Sequence, residues 1–353
     1  MADADPIRFK SLPVQMIQVE NDVVLKRGCI EIQFTGVHNA ARLRFLLDSF
    51  HNGSTQEALL AQAGEDQQSD IRELIEVLKA RNILVPMNSA SEQQAPSETP
   101  LDVFYWHFDP HGQSITQRLR SRRIVVLGVN AVSQSLLPAL SLCGFEDLTL
   151  VAYPTCLDSN NRNCLCPSPS SHLFTIQSPI AYDSWIGKVD WKSLDCLIAT
   201  SDCGGRDLLR DWNELAVQNG CHFFPIVLQD VIGYLGPLVI PAETACYECL
   251  IFRENSHLDD FRLRRAVERS AFTGDQTAFH PLMASVLGQV AAFELTKFYS
   301  NMVPIRHVST LIEVNLLGTT ITTRKILKIP RCVVCSSLHA HPSVSIHKDR
   351  PKS

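Results

Sequence analysis

Apolar and polar positions alternate through residues 12–34. Val14, Met16 and Gln18 fall on one side of the pattern, and Gln15, Ile17 and Val19 on the other. Val23-Val24-Leu25 comes next, then Ile30-Glu31-Ile32-Gln33-Phe34, with turn signals at Asn21-Asp22 and Lys26-Arg27-Gly28. A period of two predicts a three-stranded antiparallel meander. The period then lengthens. Ala41, Leu43, Phe45-Leu46-Leu47 and Phe50 form a helical stripe that stops at Asn52-Gly53. Ser54-Thr55-Gln56-Glu57 resembles a capping box, with Ser54 as N-cap. A third helix opens at Ser69-Asp70, carries Ile71, Leu74-Ile75 and Val77-Leu78, and ends at Arg81-Asn82; Ile83-Leu84-Val85 is one more short strand. Strands followed by three helices predict an N-terminal winged-helix module over residues 1–87.

Residues 88–118 read as a linker, polar and rich in Pro and Ser up to residue 100, with Phe104-Tyr105-Trp106 packing on the domain downstream. The pattern then changes again. Arg122 to Gly128, Leu148 to Val151, Asp195 to Ala199 and Phe223 to Val227 are short apolar runs with the look of buried strands, and Leu136–Leu142 and Leu208–Val217 are helical runs between them. That rhythm predicts an α/β domain with a Rossmann-type parallel sheet over residues 119–340. Residues 279–299 carry apolar spacing at Leu282, Val286, Leu287, Val290, Phe293 and Leu295, the signature of a core-facing helix opened by His280 as a cap. Val308–Ile312 and Thr320–Ile326 are late strands, and residues 341–353 a flexible tail.

Composition narrows the classes. The 353 residues are 45% apolar with a net charge of −5, which suits a buried core and gives no support to nucleic acid or anionic membrane as main partner. No apolar run reaches the length of a membrane span. Twelve cysteines behind an acidic N-terminus without a signal core predict a reducing cytoplasm, where paired cysteines are metal ligands more often than disulfides.

Two of those pairs carry the strongest signal. Cys246-Tyr247-Glu248-Cys249 and Cys332-Val333-Val334-Cys335 supply four thiolates, the set a closed tetrahedral zinc site needs. A structural zinc there would tie the tail of the chain to its middle. Cys156, Cys164 and Cys166 cluster in a polar loop whose spacing fits no such pattern, and His339 and His341 are spare beside a filled site.

The turn after the first α/β strand is Gly128-Val129-Asn130-Ala131-Val132-Ser133. A phosphate-cradling turn needs glycine at three spaced positions, and here Gly128 alone remains. Ala152 stands where an acid would hold a ribose. The pattern predicts a degenerate nucleotide site at Gly128, Asn130, Ser133, Asp202 and Arg206, with no nucleotide bound; Asp202 and Arg206 are remnants of a ligand site or simple loop solvation. No catalytic residues emerge. The N-terminal module carries nine Lys/Arg against twelve Asp/Glu, too few bases for DNA. Its other uses are packing and peptide capture: an added strand on an open edge at Ile30, Ile32 and Phe34, facing Leu74 and Leu78 of the third helix.

The run Gly236-Pro237-Leu238-Val239-Ile240-Pro241, then Thr244 to Leu250, Arg253, and the closing Lys328 to Cys335 resemble the zinc-bearing region of ThiF-like proteins of azole (thiazole/oxazole) peptide biosynthesis. The N-terminal module is similar to their PqqD-like precursor-recognition element. The resemblance covers roughly residues 8–336. It implies a non-catalytic subunit of a heterocycle-forming synthetase, which binds the leader of a ribosomally made precursor, of bacteriocin type, and presents it to a separate YcaO cyclodehydratase. It further implies a homodimer within a larger complex and a flavin dehydrogenase subunit as another partner. A microcin C7-type adenylating enzyme is the alternative; Asn130, Ser133 and Ala152 depart from that enzyme's pattern.

Overall fold

The computed structural model describes residues 7–87, 99–109, 113–153, 178–202, 206, 208–257, 260, 262, 263, 266, 279–303 and 308–336. Cys156, Cys164, Cys166, His339, His341, the predicted tail and most of the Pro/Ser-rich part of the predicted linker lie outside them. Contacts divide the chain into two units, Met1–Ile115 and Thr116–Ser353.

In the first unit, β1 (Arg8–Ser11) precedes the expected meander of β2 (Gln15–Val19), β3 (Asp22–Arg27) and β4 (Ile30–Phe34). These three strands pair antiparallel in the order β2-β3-β4, so among the described residues β4 has one neighbour. α1 (Asn39–Phe50), β5 (Ser54–Thr55), α2 (Gln56–Leu60), α3 (Gln68–Ala80) and β6 (Leu84–Pro86) complete it. β1 is the middle strand of a second small sheet, β5-β1-β6, which the sequence pattern does not announce. That sheet moves the cap of α2. Ser54 and Thr55 pair with β1, and the extended Thr55, not Ser54, accepts the Ala58 N–H at 3.2 Å. Leu43, Leu46 and Phe50 of α1 and Ile71, Ile75 and Leu78 of α3 close one core against Val23 and Leu25 of β3.

α4 (Pro100–Trp106) is opened by a capping box between Thr99 and Asp102. It packs on the module upstream of it, contrary to the expectation from sequence. Trp106 is buried in the first core, its Nε1–H donates to Asn82 O at 3.1 Å, and Arg27 lies 4.7 Å from its ring centroid. A buried indole needs a partner for its N–H, and the free carbonyl at the end of α3 provides one.

After α5 (Gln113–Arg120), the second unit runs β7 (Arg123–Leu127), α6 (Ala131–Cys143), β8 (Asp147–Ala152), β9 (Ile180–Ala181), α7 (Tyr182–Ile186), β10 (Cys196–Ser201), α8 (Leu208–Gln218), β11 (His222–Gln229), β12 (Ile232–Leu235), α9 (Tyr247–Asn255), α10 (Pro281–Ser300), β13 (Thr310–Asn315) and β14 (Thr320–Lys325). Its eight strands form one sheet in the order β14-β13-β12-β11-β10-β7-β8-β9. β9, β8, β7, β10 and β11 are parallel neighbours, and β12 to β14 extend the sheet antiparallel. The parallel strands read as unbroken apolar runs because both their faces are covered. β7 lies between β8 and β10, so strand order reverses there, the place where open α/β sheets form a ligand crevice.

α10 buries only part of the apolar spacing expected to face the core: Leu287 and Leu295 are buried as expected. Leu282, Val286 and Phe293 are exposed, while Ala284, Gly288, Ala291 and Ala292 are buried. A Cβ on Gly288 would stand 2.8 Å from Leu136 N, and Ser135 Oγ of α6 donates to Ser285 O at 2.9 Å. Two helices this close select small residues at the contact, so side-chain size marks the inside face only in part.

Candidate functional site

The two cysteine pairs come together from distant parts of the chain. Cys246 is the N-cap of α9 and Cys249 sits in its first turn, where the Cys249 N–H donates to Cys246 O at 3.1 Å. Cys332 and Cys335 lie on a tight turn after Pro330, closed by the Ser336 N–H to Cys332 O at 3.2 Å. All four thiols are buried, free of disulfides, and within 4.8 Å of one another. Cys246 lies 3.6 Å from Cys332, Cys249 3.6 Å from Cys335, and Cys246 3.9 Å from Cys249. A metal 2.3 Å from each sulfur in a tetrahedron would set its sulfurs about 3.8 Å apart. The cluster fits a four-coordinate thiolate centre with no open position.

The surroundings hold this geometry. Ile329 N–H points at Cys249 Sγ at 3.4 Å. Hydrogen bonds shared among the four thiols lower the pKa of Cys249 and Cys332, in both cases through Cys246 first, and the same cluster raises Cys246 and Cys335. α8 anchors the start of α9: Asn213 Oδ1 accepts the Tyr247 N–H at 2.9 Å, and Arg210 makes a two-pronged pair with the buried Glu248. A metal held by all four thiolates would keep no ligand position for water or substrate.

The crevice at the C-terminal ends of β7 and β10 is filled by its own side chains. Gly128 has φ +98°, and a Cβ there would meet Thr200 O at 2.7 Å, so close packing on β10 requires glycine whether or not phosphate binds. Asn130 caps α6. Its Oδ1 accepts the Val132 and Ser133 N–H groups at 3.1 Å each, and its Nδ2 donates to Thr200 O at 3.0 Å. Ser133 Oγ accepts the Asn130 N–H at 3.0 Å. The Asp202 carboxylate accepts the Ala131 N–H at 2.9 Å. The amides a helix N-terminus would offer a phosphate are therefore engaged within the chain. Asn130 and Asp202 are each 4% exposed.

Arg206 is turned away from that crevice. It pairs with Glu254 of α9 at 2.8 Å and lies 5.1 Å from the Tyr234 ring centroid. Burial opposes its charge, but Tyr247 and Glu254 outweigh burial and its pKa is raised. Beyond Ala152, Tyr153 packs edge-on against Tyr182 and Trp212 with ring centroids 5.0 and 5.2 Å away. Sequence spacing located Asp202 and Arg206 but not their partners, because both contacts join segments far apart in the chain.

In the first unit, Ile30 is half-buried and Ile32, Phe34 and Leu74 lie just below the surface at 8–9% exposure. Leu78 is fully buried among α1, α3 and β3. The expectation that it lines an open groove is corrected: the two residues sit one turn apart on α3, but only Leu74 approaches the surface.

The sequence matches no family model and no curated protein. Solved structures share the fold. The heterocyclase TruD superposes with a TM-score of 0.61 at 15% identity, covering 94% of this chain and 43% of TruD. A heterocyclase in complex with substrate and cofactor gives 0.58 at 17% identity, covering 94% of this chain and 40% of that one. The E. coli protein MccB with ATP gives 0.59 at 15% identity, and the microcin C7 biosynthetic enzyme MccB in complex with N-formylated MccA gives 0.60 at 13%, each covering 93% of this chain and all of MccB. The chain thus spans less than half of the heterocyclases it resembles and the whole length of MccB. Among the described residues no helix is long and apolar enough to cross a membrane.

Proposed function

We propose that this protein binds the leader of a ribosomally made precursor peptide in its first unit, a PqqD-like winged-helix module, and presents the peptide to a separate YcaO cyclodehydratase, performing no adenylation itself. The observation that carries this reading is the engaged N-terminus of α6. An adenylating site must bring the phosphates of ATP against backbone amides there, and Asn130, Ser133 and Asp202 already hold them. Likeness to heterocyclases, one of them in complex with substrate and cofactor, supports peptide modification as the setting. The second unit is then a ThiF-like, Rossmann-type scaffold stapled by zinc, the metal that four thiolates in a closed tetrahedron suit best. The exposed stripe Leu282, Val286 and Phe293 on α10 supports a homodimer. A flavin dehydrogenase as further subunit and a cytoplasmic location belong to the same reading.

Coverage of 93% of this chain and all of MccB, a protein solved with ATP, favours a second reading: an adenylating enzyme acting on a peptide C-terminus. One experiment separates the two. Given ATP, magnesium and precursor peptide, the purified chain should show no pyrophosphate exchange and no calorimetric ATP binding. Adding the YcaO protein should start ATP turnover that depends on the leader. Exchange by this chain alone, abolished by Asp202→Ala, would establish the adenylating reading instead.

A further inference from the structure

The thiol centre carries an exposed surface that its own chemistry does not use. Phe252, Leu327 and Val333 are 49%, 60% and 57% exposed. Each lies beside the thiol centre in the chain. Phe252 comes one helical turn after Cys249, Val333 lies between Cys332 and Cys335, and Leu327 is held to α9 by the Arg253 Nε–H donating to its carbonyl at 2.9 Å. Their neighbours Ile251, Ile326 and Val334 are buried. Large apolar side chains exposed beside a buried four-thiol cluster suit an interface better than a solvated surface.

Among the described residues the rim is mainly basic. Arg253, Lys328 and Arg331 are exposed around these residues, and no Asp or Glu occurs from Val314 to Ser336. On α9, Glu248 pairs with Arg210 and Glu254 with Arg206, so neither offsets the rim; Glu243 and Asp260 are exposed acids among the described residues of the flanking segments. A second copy of the chain is a poor occupant, because an isologous contact would set these cations against themselves. The chain beyond Ser336 is a poor one too, with three Lys/Arg against one Asp.

We propose that this face docks the separate cyclodehydratase, through a surface of that protein that presents apolar side chains ringed by Asp and Glu. The inference rests on the proposed function above and assigns to one face the contact which that reading requires. The metal's part is to fix the turn that displays Val333 and Leu327, so that little order is lost on association.

The test is calorimetric titration of the metal-loaded full-length chain with purified YcaO cyclodehydratase at low and raised salt. The wild type should bind, more weakly as salt rises. Leu327→Asp, Val333→Asp and Arg331→Glu should each lower the affinity tenfold or more, while metal content and leader affinity stay as in the wild type. Phe252→Asp, outside both cysteine turns, keeps the test intact if Val333→Asp loses metal. Wild type and variants binding alike would overturn this docking face and leave the proposed function standing. A wild type that fails to bind would overturn both. Self-association of the chain alone that Leu327→Asp abolishes would assign the face to a second copy and also overturn the proposal.

Discussion

Cys249 touches each part of the thiol centre: Cys335 across the site at 3.6 Å, Cys246 at 3.9 Å within its own turn, and the Ile329 N–H at 3.4 Å. Cys249→Ser replaces a soft thiolate with a hydroxyl that stays protonated and binds zinc poorly. Metal analysis should find about one equivalent in the wild type and well under half of one in the variant, with a lower melting temperature. Less than half an equivalent in well-folded wild type would remove the metal centre altogether. Leu78→Glu makes the opposite point. Leu78 is fully buried, and a carboxylate placed there without a partner costs several kcal/mol. Circular dichroism should show the first unit melting at much lower temperature, so this variant cannot report on a peptide groove. The chemistry of single residues was legible where spacing carries it, as in the cysteine pairs. It was not legible for Asn130 and Asp202. Asn130 in place of glycine suggested loss of phosphate binding and Asp202 a remnant of a ligand site or loop solvation, but only the fold shows that they occupy the amides left behind.

Elements read correctly where their pattern is local. The meander β2-β3-β4 arises from alternation, and its last turn closes through Gly28, whose φ of +58° suits the first position of a two-residue hairpin loop. β1 is only four residues long and finds its partners at Ser54–Thr55 and Leu84–Pro86, a pairing no local pattern encodes. The face of α10 was read only in part for a related reason: Leu287 and Leu295 are buried as expected, but the close approach to α6 is made by Gly288, which hydropathy hardly marks. The open edge of β4 carries a prediction. Arg27 and Ile30 close the hairpin as a hydrogen-bonded pair, so by alternation Glu31 and Gln33 turn their backbone groups away from β3. Proline is tolerated on such an edge but cannot donate to an added strand. Gln33→Pro should weaken leader binding at least tenfold in a fluorescence titration, with the melting curve of the first unit little changed. Wild-type affinity in this variant would rule out strand addition at β4.

At the scale of the whole molecule, each unit has its own apolar core, and the thiol centre belongs to the second alone. The metal would join residues 86 positions apart in sequence, Cys246 to Cys332 and Cys249 to Cys335. Closing a loop of that length in the unfolded chain is worth about 4–5 kcal/mol by chain entropy. At roughly 2–4 °C per kcal/mol for a domain of this size, metal removal should lower the melting temperature of the second unit by on the order of 10 °C. The loss should be local. Cys246 caps α9, α9 is bonded to α8 through Asn213 and Arg210, and α8 packs on β10 and β11, so these elements should feel the missing metal first. None of the four thiols lies in the first unit, and Trp106, Leu78 and Val23 are buried in a separate cluster. Hydrogen exchange read by mass spectrometry, with and without a zinc chelator, distinguishes the units directly. Protection should fall in α8, α9, β10 and β11 and stay unchanged in β3, β4 and α3. Equal loss in both units would show that the metal supports the whole chain as one cooperative body, and no loss in either would show that the four thiols hold their turns without it.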